Sequence, residues 1–125
     1  MSHRKPLIFV IDDDELFSEC ITSAIKKGNK NAKIQTFKNA IDAINSLSNP
    51  LPSLIFLDIL LPGPDGFTFL NEITSYTDTA KIPVVLVTSL ELPEADLSIY
   101  GIQGILNKES MKPSEVTDYV KRYTN

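Results

Sequence analysis

The sequence predicts an α/β protein built on one five-stranded parallel sheet with helices on both faces. Five short apolar runs alternate with segments of helical periodicity along the 125 residues. Three of these runs are apolar at every position, as strands buried on both faces are. The length and the 42% apolar content are those of one globular domain. We therefore expect a single doubly wound domain over residues 1–125, made of five strand–helix units.

The strands follow from apolar runs that turn or helix signals separate. The fourth run is rich in valine, which favours a strand, and the second run is the weakest of the five. The predicted strands are Leu7 to Ile11, Ile34 to Phe37, Leu54 to Leu57, Pro83 to Val87 and Ile102 to Leu106.

The first two helices follow from apolar residues at helical spacing. The first helix ends at Gly28 and carries an apolar stripe of Leu16, Phe17, Cys20, Ile21, Ala24 and Ile25. We expect Cys20 to be a small buried hydrophobe, and as the only cysteine it cannot form an internal disulfide. Asn39 is predicted to cap a second helix that carries Ile41 to Leu47 and ends before Pro50.

Three further helices complete the pattern. Pro62 to Gly66 marks a loop, after which Phe67 to Ile73 has helical spacing. A short fourth helix is predicted over Pro93 to Tyr100. The fifth helix has Pro113 near its start and an apolar stripe of Val116, Tyr119, Val120 and Tyr123.

Charge and hydropathy exclude several classes of function. The net charge is −4, and the lysines between Lys26 and Lys38 fit a solvated loop beside a helix end, so we expect no direct binding to nucleic acid. No apolar run approaches the roughly 18 residues that span a bilayer, and the first residues lack the form of a signal peptide. We therefore expect a cytoplasmic protein without membrane contact.

Polar side chains stand at the ends of four of the five predicted strands. These residues are Asp12 to Asp14, Asp58, Thr88 and Lys108. In doubly wound sheets, ligands bind beyond the carboxyl ends of the strands, where the strand order reverses. We therefore expect these side chains to converge on one site.

This set of side chains favours phosphoryl chemistry on an aspartate. Clustered carboxylates repel one another, and oxygen ligands of this kind suit Mg²⁺. An aspartate can form an aspartyl phosphate, while a nearby ammonium and hydroxyl stabilise the phosphoryl oxygens. Taken singly, Asp13, Asp14 and Asp65 could each cap a helix. The convergence of four strand ends is what favours phosphoryl chemistry.

One family of aspartyl-phosphate enzymes shares part of this pattern. The first strand with its aspartates, LIFVIDDDEL, is similar to the nucleophile motif of haloacid dehalogenase-like phosphatases, in which Asp12 and Asp14 would act. Leu16, however, stands where that motif has Thr or Val. No acidic pair after Lys108 corresponds to the one that holds the metal of those enzymes.

The chain as a whole resembles the receiver domain of two-component response regulators. Its markers are FVIDDDE, LDILLPGPDG, VVLVTS and GILNK, and the most specific is Asp58 with Pro62, Asp65 and Gly66 at the family's spacing. The resemblance implies the flavodoxin-like (βα)5 fold. It also implies a signalling switch that catalyses its own phosphorylation and dephosphorylation, and not an enzyme that acts on a metabolite.

The resemblance implies a role for each site residue. Asp58 accepts a phosphoryl group from a partner histidine kinase or phosphotransfer protein, and Thr88 and Lys108 contact that group. The charge of Asp58 is then compensated by Lys108 and a metal ion.

The metal implied by the resemblance is Mg²⁺. Asp13, Asp58 and the backbone carbonyl of Leu60 are its direct ligands, and Asp12 acts through water. Asp14 matches no essential position and is expected to cap a helix.

The chain departs from the family pattern at three places. Ile105 occupies the position of the usual aromatic residue, so its coupling to Thr88 is expected to be weakened or replaced. Glu109 follows the lysine in place of a proline with a cis peptide, so we expect the loop to take another path. Leu60 and Leu90 replace polar groups that orient the attacking water, and we hypothesise that they slow hydrolysis of the phosphoaspartate.

The resemblance also implies an output face formed by the fourth helix, fifth strand and fifth helix. Through it the protein would bind a downstream target, and dimerisation on phosphorylation stays open. The sequence stops at Asn125, and no output domain follows the receiver pattern. We therefore expect either a stand-alone receiver or one domain of a longer protein. An alternative is a receiver-like scaffold that binds partners without phosphorylation. The five key residues that the chain keeps argue against it, whereas the substitutions at Ile105 and Glu109 leave it some weight.

Overall fold

The computed structural model describes residues 5–92 and 100–124 and has the predicted architecture. Its strands are β1 (Leu7–Ile11), β2 (Lys33–Phe37), β3 (Leu54–Leu57), β4 (Val84–Thr88) and β5 (Ile102–Asn107). All pairs are parallel, and the strands form one sheet in the order β2-β1-β3-β4-β5. The predicted flavodoxin-like sheet is therefore confirmed.

Helices cover both faces of this sheet. Within the described residues they are α1 (Glu15–Gly28), α2 (Ala40–Asn45), α3 (Gly66–Thr74), a 3-10 helix (Thr79–Lys81) and α4 (Pro113–Thr124). The helix α4 is the fifth helix of the sequence prediction. The predicted fourth helix falls outside the described residues except for Tyr100. Among the residues described, no helix is long and apolar enough to cross a membrane.

The central strands alternate their side chains between two apolar layers. Phe9 and Leu57 pack with α2 and α3 on one face, whereas Val10 and Phe56 pack with α1 and α4 on the other. All four side chains are buried. The central strands therefore need continuous apolar runs, because each of them packs against an apolar layer on both faces of the sheet.

Side-chain caps begin three helices. Asp14, Asn39 and Asp65 each accept a hydrogen bond from a backbone N–H in the first turn of α1, α2 and α3. Such caps satisfy donors that the helix itself leaves free. The helix α2 is shorter than predicted, since it ends at Asn45, and Leu47 packs on the core from the loop that follows.

The predicted burial of Cys20 is wrong. Cys20 is exposed, and Leu16 on the same predicted stripe is 77% exposed. The buried residues of α1 are Ile21, Ala24 and Ile25. Each residue turns the helix by about 100°, which places positions 16 and 20 beyond the edge of the face that these three share. The apolar face of α1 is therefore narrower than the sequence pattern suggests.

Gly28 allows α1 to pack closely against α4. A Cβ atom on Gly28 would lie 2.9 Å from Cβ of Val120 and 3.0 Å from the backbone oxygen of Thr117. Its backbone does not need a left-handed conformation, which among the described residues occurs only at Gly63 and Gly101. The predicted stop at the end of α1 therefore marks a contact between two helices.

We expect Gly28→Ala to destabilise the fold, although alanine favours an isolated helix by about 1 kcal/mol. Overlap with Val120 should lower the free energy of unfolding by about 1–3 kcal/mol, as overpacking does, measured by urea denaturation. Ser23→Ala, at an exposed position of α1, is the control and should change this free energy by less than about 0.5 kcal/mol. Unchanged or increased stability of Gly28→Ala would contradict the packing argument.

Candidate functional site

The hydrogen-bond ladder of the sheet extends one residue past three strands and fixes the backbone of the site. The N–H groups of Asp12, Asp58 and Lys108 donate to carbonyls of neighbouring strands at 2.9, 2.9 and 3.0 Å. Thr88 is the last residue of β4. The strand order reverses between β1 and β3, and Asp12 and Asp58 follow these two strands. The site therefore lies at the switch point of the sheet.

Lys108 forms ion pairs with two buried carboxylates. Its Nζ lies 2.7 Å from Oδ2 of Asp12 and 2.9 Å from Oδ2 of Asp58. The other oxygens accept backbone N–H groups, from Asp14 to Asp12 at 2.9 Å and from Leu60 to Asp58 at 3.0 Å. Asp12 and Asp58 are each only 4% exposed, so these contacts replace water. The structure thus places Lys108 as the counter-ion of Asp58.

A third carboxylate completes an acidic cluster. Asp13 is exposed, and one oxygen from each of Asp12, Asp13 and Asp58 lies within 4.8 Å of the others. One ammonium does not neutralise three carboxylates, and hard oxygen donors at this spacing suit Mg²⁺. Asp14 is not in the cluster, because its Oδ1 accepts the backbone N–H of Phe17 at 3.1 Å as the cap of α1.

Two groups of the site have displaced pKa values. Burial raises the pKa of Asp12 above its ordinary value of 3.8, although hydrogen bonds from Lys108 and the Asp14 backbone act in the opposite direction. Burial opposes the charge of Lys108, but its hydrogen bonds to Asp12 and Asp58 prevail and raise its pKa above 10.5. Lys108 is therefore charged at neutral pH.

Thr88 and two leucines lie at the ends of the site strands. Thr88 is fully buried, and its hydroxyl accepts the N–H of Leu90 at 3.3 Å. Leu90 and Leu60, two residues beyond Thr88 and Asp58, are 38% and 49% exposed. Both leucines therefore present apolar surface at positions where the receiver pattern has polar groups.

The other departures from the family pattern are also visible. Ile105 is half-buried and packs against the apolar layer that includes α2 and α3. The peptide bond between Lys108 and Glu109 is trans. The N–H of Glu109 donates to Oδ1 of Asn107 at 2.8 Å, and the N–H of Met111 donates to the Asn107 carbonyl at 2.8 Å. The loop after Lys108 therefore folds back on Asn107.

Phe17 contacts the site, although the sequence indicates only an apolar helix position. Nζ of Lys108 lies over its ring, 4.7 Å from the ring centroid. An ammonium at this distance is attracted by the negative face of an aromatic ring. The sequence carries no signal for this contact, because it depends on how α1 sits relative to the end of β5.

Comparisons with known proteins agree with this geometry. Residues 8–121 match the profile of the response regulator receiver domain. The transcriptional regulatory protein CssR of Bacillus subtilis is 31% identical over 107 residues, which are 85% of this chain and 44% of that protein. The DNA-binding dual master transcriptional regulator RpaA of Synechocystis is 28% identical over 120 residues, 94% of this chain and 47% of that protein.

A solved structure of a response regulator is also similar to this chain. The crystal structure of the phosphorylated cyanobacterial phytochrome response regulator RcpA has a TM-score of 0.76 with this chain at 25% identity. The match covers 95% of this chain and 91% of that one.

The doubly wound sheet with acidic residues and a lysine at its switch point agrees with this receiver domain profile. The profile match covers most of the chain, which belongs to the response regulator receiver domain family of two-component systems. Membership implies phosphorylation-dependent signalling and does not agree with the phosphatase alternative. The chain spans less than half the length of the two curated relatives, 47% and 44%.

We expect Asp12→Asn to stabilise the protein at pH 7 without Mg²⁺, by an amount that depends on pH. Because burial raises the pKa of Asp12 above 3.8, the folded state binds a proton on this carboxylate more tightly than the unfolded state does. The stability of the fold therefore falls as the pH rises from 3.8 through the pKa of the folded state. Asparagine removes the free-energy cost of burying the negative charge of Asp12 and keeps an oxygen that accepts a hydrogen bond. The gain should shrink as the pH falls toward 3.8.

Urea denaturation between pH 7 and pH 4 measures this effect. Asp118→Asn, at an exposed position of α4, is the control and should stay within about 0.5 kcal/mol of wild type. A gain that is equal at every pH, or a loss at pH 7, would contradict the assignment of the cost to the buried charge of Asp12.

Proposed function

We propose that this chain is a phosphorylation-dependent switch in a two-component phosphorelay and that Asp58 is its phosphoacceptor. The observation that carries the proposal is the fixed, buried carboxylate of Asp58. Its Oδ1 accepts the N–H of Leu60 and its Oδ2 accepts Lys108. A nucleophile held in one orientation favours in-line transfer. The donor is the phosphohistidine of a partner histidine kinase or phosphotransfer protein.

The transfer exchanges one phosphorus bond for another. A carboxylate oxygen of Asp58 attacks phosphorus, and the new O–P bond forms as the N–P bond of the donor breaks. The electron pair of that bond returns to the imidazole of the donor, which takes up a proton. Lys108 and the hydroxyl of Thr88 bind the phosphoryl oxygens and stabilise their charge. The 2.9 Å contact between Lys108 and Asp58 supports this role for the lysine.

Asp12, Asp13, Asp58 and the backbone carbonyl of Leu60 are the groups that would hold Mg²⁺. The support is the cluster of three carboxylates, two of which, Asp12 and Asp58, pair with the ammonium of Lys108. When bound, the ion neutralises charge on the transferred group. The ligand role of the Leu60 carbonyl stays a prediction.

We propose that residues 1–125 act as one receiver domain on a downstream protein, in the cytoplasm and without direct contact to nucleic acid. The output face would combine β5 and α4, and residues 93–99, which the expectation also assigns to it, lie outside the described residues. Its described part includes Tyr119 and Tyr123, whose rings stack with centroids 6.4 Å apart. Half-buried aromatic side chains are frequent anchors for protein partners.

We expect wild type to gain one phosphoryl group with Mg²⁺ and acetyl phosphate, as measured by intact-mass spectrometry. Asp58→Asn should gain none, because an amide is not a nucleophile of this kind. Asp65→Asn, which changes the cap of α3, is the control and should be phosphorylated like wild type. An adduct that persists in Asp58→Asn would contradict the site. No adduct in wild type with Mg²⁺ bound would favour the scaffold alternative.

A further prediction concerns the lifetime of the phosphoaspartate. Leu60 and Leu90 are exposed beside the site and cannot orient a water molecule, so we propose that hydrolysis is slow. Exchanging both for glutamine should shorten the lifetime several-fold, measured as loss of the adduct with time. Ile41→Gln, at an exposed apolar position of α2, is the control. An unchanged lifetime in the double variant would reject this role.

A further inference from the structure

We propose that Phe17 is a positioning residue for phosphoryl transfer and holds Lys108 against Asp58 through a cation–π contact. Nζ of Lys108 lies 4.7 Å from the centroid of the Phe17 ring, inside the ~6 Å over which this attraction acts. The inference rests on the proposed phosphorylation of Asp58 and extends that site to the first helix.

The ring meets the part of the ammonium that the carboxylates leave free. Lys108 has three N–H donors, and its ion pairs at 2.7 and 2.9 Å occupy two of them with Asp12 and Asp58. The Lys108 side chain is only 15% exposed, so little water reaches the remainder. The ring of Phe17 attracts the charge but offers no oxygen acceptor. It therefore fixes the ammonium without competing with phosphoryl oxygens for its protons.

The surroundings of Phe17 hold the ring in place. Its backbone N–H donates to Oδ1 of Asp14 at 3.1 Å, which fixes the first turn of α1. Its side chain packs on the apolar layer between α1 and α4, together with Met111. An apolar cavity of about 190 Å³ lies beside it and is lined in part by Cys20, Met111 and Lys108. Loss of the ring would enlarge this cavity and remove one of the contacts that hold Lys108 beside Asp58.

The chemistry of an aromatic face, and not only its volume, is required by this account. Leucine would fill much of the same space but has no ring quadrupole to attract an ammonium. Tyrosine keeps the ring face and adds a hydroxyl at its edge. The pair Phe17→Leu and Phe17→Tyr therefore separates electrostatic positioning from packing.

The test compares phosphorylation rates by acetyl phosphate at saturating Mg²⁺. We expect Phe17→Leu to be about three- to fivefold slower than wild type, from the strength of a partly exposed cation–π contact, and Phe17→Tyr to be close to wild type. NMR provides a second readout without Mg²⁺ or donor. The ε-protons of Lys108 should show an upfield ring-current shift in wild type and Phe17→Tyr, and it should be absent in Phe17→Leu.

The two readouts keep the outcomes distinct. A Phe17→Leu variant as fast as wild type would overturn the proposal, and so would a Phe17→Tyr variant as slow as Phe17→Leu, since packing alone would then explain the loss. Urea denaturation shows whether each variant is folded. If wild type itself takes up no phosphoryl group, the proposed function fails. The shift of the Lys108 protons then decides separately whether the ring holds the ammonium.

Discussion

The pairing of one ammonium with two buried carboxylates is the interaction on which the site depends. Asp12 and Asp58 have exchanged water for contacts with Lys108 and with single backbone N–H groups. Removing the ammonium of Lys108 would leave two buried carboxylates without their counter-ion, and an uncompensated buried charge costs about 3–5 kcal/mol. The site still carries excess negative charge, because Asp13 adds a third carboxylate to the cluster. A cation and a phosphoryl group are the ligands that such a site can accommodate.

The topology of the sheet makes this pairing possible. Asp12, Asp58 and Lys108 lie far apart along the chain, yet each follows directly after a parallel strand. The order β2-β1-β3-β4-β5 places the ends of β1 and β3 side by side, and Lys108 reaches the two carboxylates from the end of β5. Because the ladder continues past the strand ends, hydrogen bonds to neighbouring strands fix the backbone of the site. Chemistry at this edge can therefore vary while the two apolar layers below it stay unchanged.

The sequence predicts the sheet well because buried parallel strands need uninterrupted apolar runs, and it predicts the site because polar residues end those runs. Asp58 and Lys108 were expected at one edge, and the structure brings them to 2.9 Å. The exposure of Cys20 is not predictable from spacing, since the pattern does not reveal how wide a face of α1 the sheet covers. Nor was the contact of Phe17, because it depends on the relative placement of two elements and not on either one.

Asp58 is the proposed carrier of the phosphoryl group. The most direct measurement is borohydride reduction of the phosphorylated wild-type protein, which converts an acyl phosphate to an alcohol, followed by peptide mass mapping. We predict that the reduced residue is found only at Asp58. Reduction at Asp12 or Asp13, with Asp58 intact, would contradict it.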